Sequence, residues 1–429
     1  MTSLPASAPE SPDRAADALG LDTLPVDLAA IRAAREAIAG EVMVTPTIPA
    51  PVLSEWYGCD LHLKLETLHA TGSFKERGAL NRLKALTPEQ RERGIIAMSA
   101  GNHAQGVAYH AKRLGIPATI VMPRLTPFTK VARTEACGAT VVLQGESLDD
   151  ARPAVERLVA EQGLTLIHPY DDPAIVAGQG TIGLEILEAV AGIDDIVVPI
   201  GGGGIISGIA IAARTLNPAI RITGVEVASF ASMSDALAGR TGVAYTGATL
   251  AEGIAVKSPG GITLPIVRAL VDDILIVDEA RIEDAVHTLL RVQKLQVEGA
   301  GAAGLAAIAA RPDRFAGRRV VTPACGGNID ARVLSSILMR GLARAGQLVR
   351  LRVEIDDAPG VLAKVSGVVG NTGGNIVEVY HQRLFYDLPV KRADIDVVVE
   401  TRDRQHVARI VEELAMAGFE ATILTDLGG

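Results

Sequence analysis

Aromatic residues are scarce: Phe, Tyr and Trp together make up 3% of the 429 residues. That scarcity argues against the stacked-ring platforms that hold single-stranded nucleic acid, and it predicts a core of Ala, Val, Leu and Ile. Cysteine is scarcer still. Cys59, Cys137 and Cys325 are odd in number, far apart and free of any CxxC pair, which excludes a disulfide framework and a structural zinc site and fits a reducing cytoplasm. Long basic runs are missing, and 41 Lys and Arg against 50 Asp and Glu leave a net charge of −9. No nucleic-acid footprint or polybasic membrane patch is therefore expected. The longest uncharged stretch, 196–213, is interrupted by Pro199 and four consecutive glycines, so it reads as strand, turn and helix and not as a membrane span. Residues 1–24 carry a single Arg and no apolar run; they are predicted to be a disordered tail, neither signal nor transit peptide.

What is present is the composition of a globular protein, 48% hydrophobic and 21% charged, long enough for two or three structural units that act on a small molecule. From about residue 94 the pattern alternates between apolar strands (95–98, 118–122, 140–143) and helical stretches, and 195–227 repeats the strand, turn, helix, strand order. This predicts α/β architecture with a doubly wound parallel sheet over about 25–340. After the junction GLARAGQ (341–347) the rhythm changes to βαββαβ over 348–425, a ferredoxin-like module.

Three loops, each at a strand end or helix start, carry the chemical signal: TGSFKERGA (71–79), SAGNHAQG (99–106) and GGGG (201–204). Successive glycine N–H groups before a helix form a phosphate site. The same turn nearly satisfies a dinucleotide fingerprint, with Ser207 in place of the third Gly and Glu226 on the next strand, so an NAD-dependent dehydrogenase remains open on this motif alone. Lys75 follows Gly72, Ser73 and Phe74 at a helix start. Small and apolar neighbours can desolvate its amine for Schiff-base chemistry, and a lysine imine beside a phosphate cradle implies pyridoxal phosphate. In the third loop, Ser99 and helix-start N–H groups suit a carboxylate and Asn102 suits a ring oxygen, although Asn102 could equally be an ordinary helix N-cap.

Together these segments resemble the fold-type II pyridoxal-phosphate family, and within it the threonine dehydratases (threonine ammonia-lyases), over about 25–425. KLETLHATGSFKERGA (64–79) is similar to the Schiff-base segment, SAGNHAQG to the carboxylate loop, PIGGGGIISG to the phosphate loop and PACGGNID (323–330) to the loop facing the pyridine nitrogen. The resemblance implies a two-lobed catalytic domain, 25–340, with a small lobe at about 72–170 inserted in the large one. It implies that Lys75 holds the cofactor as an imine beside Phe74, that Asn102 bonds its phenolic oxygen, and that Gly201, Gly202, Gly203 and Gly204 hold its phosphate. Ser99, Ala100, Gly101 and His103 would surround the substrate carboxylate, with Glu298 lining the pocket. Cys325 departs from the Ser of many relatives at the pyridine-nitrogen position; as a neutral thiol it should favour elimination over transamination. Glu226 matches a cation-site Glu of some relatives, but Ser232 stands where their downstream acidic ligand lies, so a divalent metal is not expected and Glu226 is left as a candidate cation site.

The C-terminal module resembles an ACT domain, with Asp357, Pro359, Gly360 and Asn375 at that family's ligand-loop positions. The implied activity is deamination of L-threonine to 2-oxobutanoate and of L-serine to pyruvate, regulated by a branched-chain amino acid, in a homo-oligomer (dimer or tetramer). Serine racemase and hydroxyaspartate dehydratase activities stay open within the family, and a non-enzymatic amino-acid sensor stays open outside it.

Overall fold

The computed structural model describes residues 23–382 and 392–424; the expected N-terminal tail lies outside them apart from residues 23 and 24. The chain divides into two compact units, Met1–Ile329 and Asp330–Gly429.

The first unit contains two sheets. One has six strands in the order Thr47–Pro49, Asp60–Lys64, Arg319–Pro323, Asp195–Pro199, Arg221–Val227 and Asp273–Val277, all parallel except the first pair. The other has four parallel strands in the order Thr140–Leu143, Ala118–Met122, Ile95–Met98 and Thr165–Leu166. The smaller sheet is built wholly from chain lying between the Asp60–Lys64 and Asp195–Pro199 strands of the larger one. The α/β fold read from the alternating pattern is thus present. Strand Asp195–Pro199 is buried at every position, as a central parallel strand covered by helices on both faces must be.

Three helices connect the sheets' chemistry. Helix Pro173–Ala189 starts at Asp172, whose carboxylate accepts the N–H groups of Ala174 and Ile175, with Pro173 at the first helical position. Its neighbours, helices Lys75–Lys84 and Gly204–Leu216, cross it at bare backbone. A Cβ on Gly178 would lie 2.6 Å from the Gly78 Cα, and one on Gly208 would lie 2.4 Å from the Gly180 nitrogen. No real side chain tolerates such distances, so glycine is required at these crossings.

Beneath helix Lys75–Lys84 runs a buried ionic cluster. The Arg77 guanidinium donates to Glu66 (2.7 and 2.8 Å) and to Glu185 (2.6 and 2.8 Å). Lys64 also donates to Glu185, while Thr45 and His69 bond Glu66. Burial opposes every one of these charges, yet Arg77 and His69 hold the Glu66 carboxyl far below the usual carboxylate range.

The second unit opens with helix Ala331–Arg344, capped by Asp330. This helix runs through residues 341–344, which explains why the unit boundary falls before the junction expected at 341–347. Four antiparallel strands follow in the order Asn375–Gln382, Arg392–Glu400, Leu348–Asp356 and Glu420–Ile423, with helices Val361–Asn371 and Arg404–Met416 as the two crossovers. This is the ferredoxin-like βαββαβ order. Val349, Leu351, Val353 and Ile355 alternate inward from the first strand against Val365, Val369, Ile410 and Leu414.

Candidate active site

Lys75 is the first residue of its helix. Its position is fixed by main-chain stitching between two distant segments. Ser73 pairs with Gly326 as an antiparallel bridge, the Phe74 N–H donates to the Cys325 carbonyl at 3.1 Å, and the Gly327 N–H donates to the Gly72 carbonyl at 2.9 Å. The half-buried Lys75 Nζ donates to the Pro169 carbonyl at 2.8 Å and lies 5.1 Å from the centre of the Phe74 ring. Desolvation lowers its pKa to about 8, against the opposing pull of Cys325 and Glu298. Cys325 is 3% exposed, and burial pushes its thiol far above the usual range. It is a neutral group beside the amine.

The glycine loop lies between strand Asp195–Pro199 and helix Gly204–Leu216, where open parallel sheets bind ligands. Gly203 has φ +94°, and a Cβ on Gly202 would come within 2.3 Å of three Tyr170 ring atoms. Tyr170 follows Pro169, the acceptor for Lys75, so segment 168–171 spans from the lysine to the glycine loop. Asp171 secures that segment by accepting the N–H groups of Gly261 and Ile262 at 2.9 and 2.7 Å. The sequence reading did not single out 168–171; its available signal was the Asp172-Pro173 helix start.

In the third loop the Ser99 Oγ accepts the Gly101 N–H at 3.2 Å. Gly101, not Asn102, is the helix N-cap, and Asn102 is the first helical residue. Its amide is therefore free of capping. It donates to the Glu298 Oε1 at 2.7 Å and accepts from Asn328 at 2.8 Å. Burial raises the Glu298 carboxyl to about 7. Ala100 packs against the small-lobe core. His103 is buried, its Nε2 lies 2.9 Å from the Ile167 carbonyl, and burial together with the Lys75 charge lowers its pKa to about 3. It is a neutral ring held by the main chain.

Lys75, Phe74, Cys325, Asn102 and Glu298 thus meet, with Ser99, Ala100, Gly101 and His103 on the adjoining loop. Glu226 does not join them. Its carboxylate accepts the N–H groups of Met233 and Ser234 and the Ser234 hydroxyl at the start of a short helix. Among the described residues no group of three or more His, Cys, Asp or Glu could hold a metal.

These residues fit pyridoxal phosphate on structural grounds. A desolvated amine suits an aldehyde, a loop whose backbone admits no Cβ precedes a helix N-terminus suited to a phosphate, and the Ser73 Oγ is buried beside the lysine with no hydrogen-bond partner among the described residues.

Comparison with known proteins agrees. The pyridoxal-phosphate dependent enzyme family matches residues 38–326. The L-threonine ammonia-lyase of Thermotoga maritima is 41% identical over 400 residues, 93% of this chain and 100% of that protein. Among solved structures, the processed form of threonine deaminase isoform 2 from Solanum lycopersicum has a TM-score of 0.68, with 33% identity over 75% of this chain and 87% of its own. Maize serine racemase has a TM-score of 0.69, with 37% identity over 72% of this chain and 98% of its own. The match removes the dinucleotide reading of the glycine turn: the chain belongs to the family of pyridoxal-phosphate-dependent enzymes.

Proposed function

We propose that the chain is a threonine ammonia-lyase, converting L-threonine to 2-oxobutanoate and ammonia and L-serine to pyruvate and ammonia. The observation that carries this reading is the half-buried Lys75 amine at a helix start, its Nζ 2.8 Å from the Pro169 carbonyl and its loop bonded main chain to main chain to the loop of Cys325.

Lys75 would hold the cofactor covalently, with Phe74 alongside. Gly201, Gly202, Gly203 and Gly204 would bind its phosphate, Asn102 its phenolic oxygen and Cys325 its pyridine nitrogen. Bound pyridoxal phosphate supplies an electron sink for the pair left at Cα when that carbon loses its proton. Lys75 Nζ, once released by the incoming amino acid, is the base for that proton, because a lowered pKa keeps a useful fraction of the amine neutral near pH 7 to 8. Ser99 and the N–H group at His103 orient the substrate carboxylate, with Ala100, Gly101 and Glu298 lining the pocket. The β-hydroxyl would leave as water, taking up a proton in exchange for the one lost from Cα, and addition of water to the released enamine would give the 2-oxo acid and ammonia. A neutral Cys325 places no acid at the ring nitrogen, which favours this outcome over transamination.

Racemisation is the second reading, favoured by the likeness to maize serine racemase. It needs a proton donor on the face of Cα opposite Lys75, and Ala100 and Gly101 bring no titratable group to the carboxylate loop. Incubation with L-threonine and L-serine, followed by 2-oxo acid and chiral amino-acid analysis, separates the readings. No 2-oxo acid from either substrate overturns the lyase assignment, and D-serine as the main product replaces it with the racemase.

The C-terminal unit is proposed to act as an ACT-type regulatory domain over 348–425 in a homo-oligomer, binding a branched-chain amino acid. Supporting this, Asp357, Pro359 and Gly360 lie exposed before helix Val361–Asn371, and Asn375 is exposed at the start of a strand, where it donates to Glu400.

A further inference from the structure

We propose that Asn328 and Glu298 are positioning residues that lock the Asn102 amide in one orientation, its oxygen sealed and its nitrogen outward, so that Asn102 presents an N–H to the phenolic oxygen of pyridoxal phosphate. This rests on the proposed contact between Asn102 and the cofactor.

Asn328, Asn102 and Glu298 form a chain of side-chain hydrogen bonds. The Asn328 Nδ2 donates to the Asn102 Oδ1 at 2.8 Å and to the Thr71 carbonyl at 2.7 Å, which uses both of its hydrogens. The Asn102 Nδ2 donates to the Glu298 Oε1 at 2.7 Å. Rotating the Asn102 amide by half a turn would set its oxygen against a Glu298 oxygen and its nitrogen against the Asn328 nitrogen. Two bonds would be lost and two like groups opposed, so one orientation is selected. In that orientation one Asn102 hydrogen remains after Glu298 is served.

Two glycines leave room for this chain. A Cβ on Gly72 would lie 2.9 Å from the Asn328 Oδ1, and one on Gly326 would lie 2.4 Å from the Glu298 Oε1 and 3.0 Å from the Asn102 Nδ2. The same chain ties the lysine loop, through Thr71, to the start of helix Asn102–Arg113.

The test titrates pyridoxal phosphate into the apo forms of Asn102→Ala, Asn328→Asp, Asn328→Ala and the double alanine variant. It reads the position of the visible band of lysine-bound cofactor and its dissociation constant. Asn328→Asp keeps the shape and exchanges a donor for an acceptor, so it carries the test even if Asn328→Ala folds poorly. It should shift the band as Asn102→Ala does and weaken binding roughly ten-fold. In the Asn102→Ala background, Asn328→Ala should add less than about two-fold. Glu298→Gln, which keeps an acceptor oxygen, should retain the wild-type band, whereas Glu298→Ala should lose it. An unchanged band and affinity in Asn328→Asp, or effects that multiply in the double variant, overturn the inference and leave the Asn102 contact intact. A wild-type band in Asn102→Ala removes that contact and overturns both.

Discussion

The backbone N–H of Phe74 donates to the carbonyl of Cys325 at 3.1 Å, so the residue preceding Lys75 and the residue expected at the pyridine nitrogen are tied main chain to main chain. Substitution of either side chain leaves that bond in place. The chemistry of Lys75 and Cys325 can therefore be altered with little effect on their spacing.

Lys75→Ala should abolish the visible band of lysine-bound cofactor and lower kcat for threonine by roughly a hundred- to ten-thousand-fold or more. Absorbance and 2-oxobutanoate release measure the two losses, and survival of both would exclude Lys75 from its assigned place.

Cys325→Ser exchanges one small neutral group for another and should keep deamination within about ten-fold of the parent. Cys325→Asp would protonate the ring nitrogen and should slow elimination or divert it to transamination, which appears as pyridoxamine phosphate on analysis of the cofactor. A fully active Asp variant with no such by-product refutes this account of the electron sink.

The lowered pKa of Lys75 has a definite sign. Below about pH 8 the amine is mostly protonated and cannot attack the cofactor aldehyde; above it the neutral form dominates. The rate at which apoenzyme develops the visible band after mixing with pyridoxal phosphate should rise through a midpoint near pH 8. A midpoint near the ordinary lysine value of about 10.4 would show that the amine is solvated.

Arg77→Met leaves Glu66 and Glu185 buried without their shared partner and should destabilise the catalytic unit by about 3–5 kcal/mol. Urea unfolding followed by circular dichroism measures this. Because the Glu66 carboxyl is held far below its unfolded value of about 4.3, its stabilising contribution is complete above that pH and is lost as the pH falls further. The parent should therefore lose more stability between pH 5 and pH 3 than Glu66→Gln does.

Truncation after residue 346 should leave measurable deamination and remove any response of the rate to isoleucine or valine. Calorimetry and rate assays on the intact chain that find no response to any branched-chain amino acid would make the C-terminal unit a structural module.

The α/β alternation, the ferredoxin-like order and the three loops were legible in the sequence because each is a local pattern. Lys75, Asn102, the four glycines and Cys325 stood out by motif. Contacts between distant segments were not legible. Asn102 looked like a helix cap, and only the structure shows Gly101 in that role and the amide bonded to Glu298 and Asn328. Glu226 suggested a cation or ribose partner, but its carboxylate meets the N–H groups of residues seven and eight positions on. The Arg77 cluster joins residues 11 and 108 positions away, each of which reads in isolation as an ordinary surface charge. Helix Ala331–Arg344 extends into the expected junction because its start signal, Asp330, lies at the end of the cysteine loop motif.

The glycine crossings act as a spacing gauge. Helix Pro173–Ala189 touches the lysine helix at Gly78 and Gly178 and the phosphate-loop helix at Gly180 and Gly208, in each case backbone on backbone. The separation of Lys75 from the glycine loop is thus set by the van der Waals radii of main-chain atoms, which no rotamer change can adjust. Core substitutions elsewhere can be absorbed by repacking, while one methyl at Gly178 or Gly208 meets main-chain atoms and would push these helices apart.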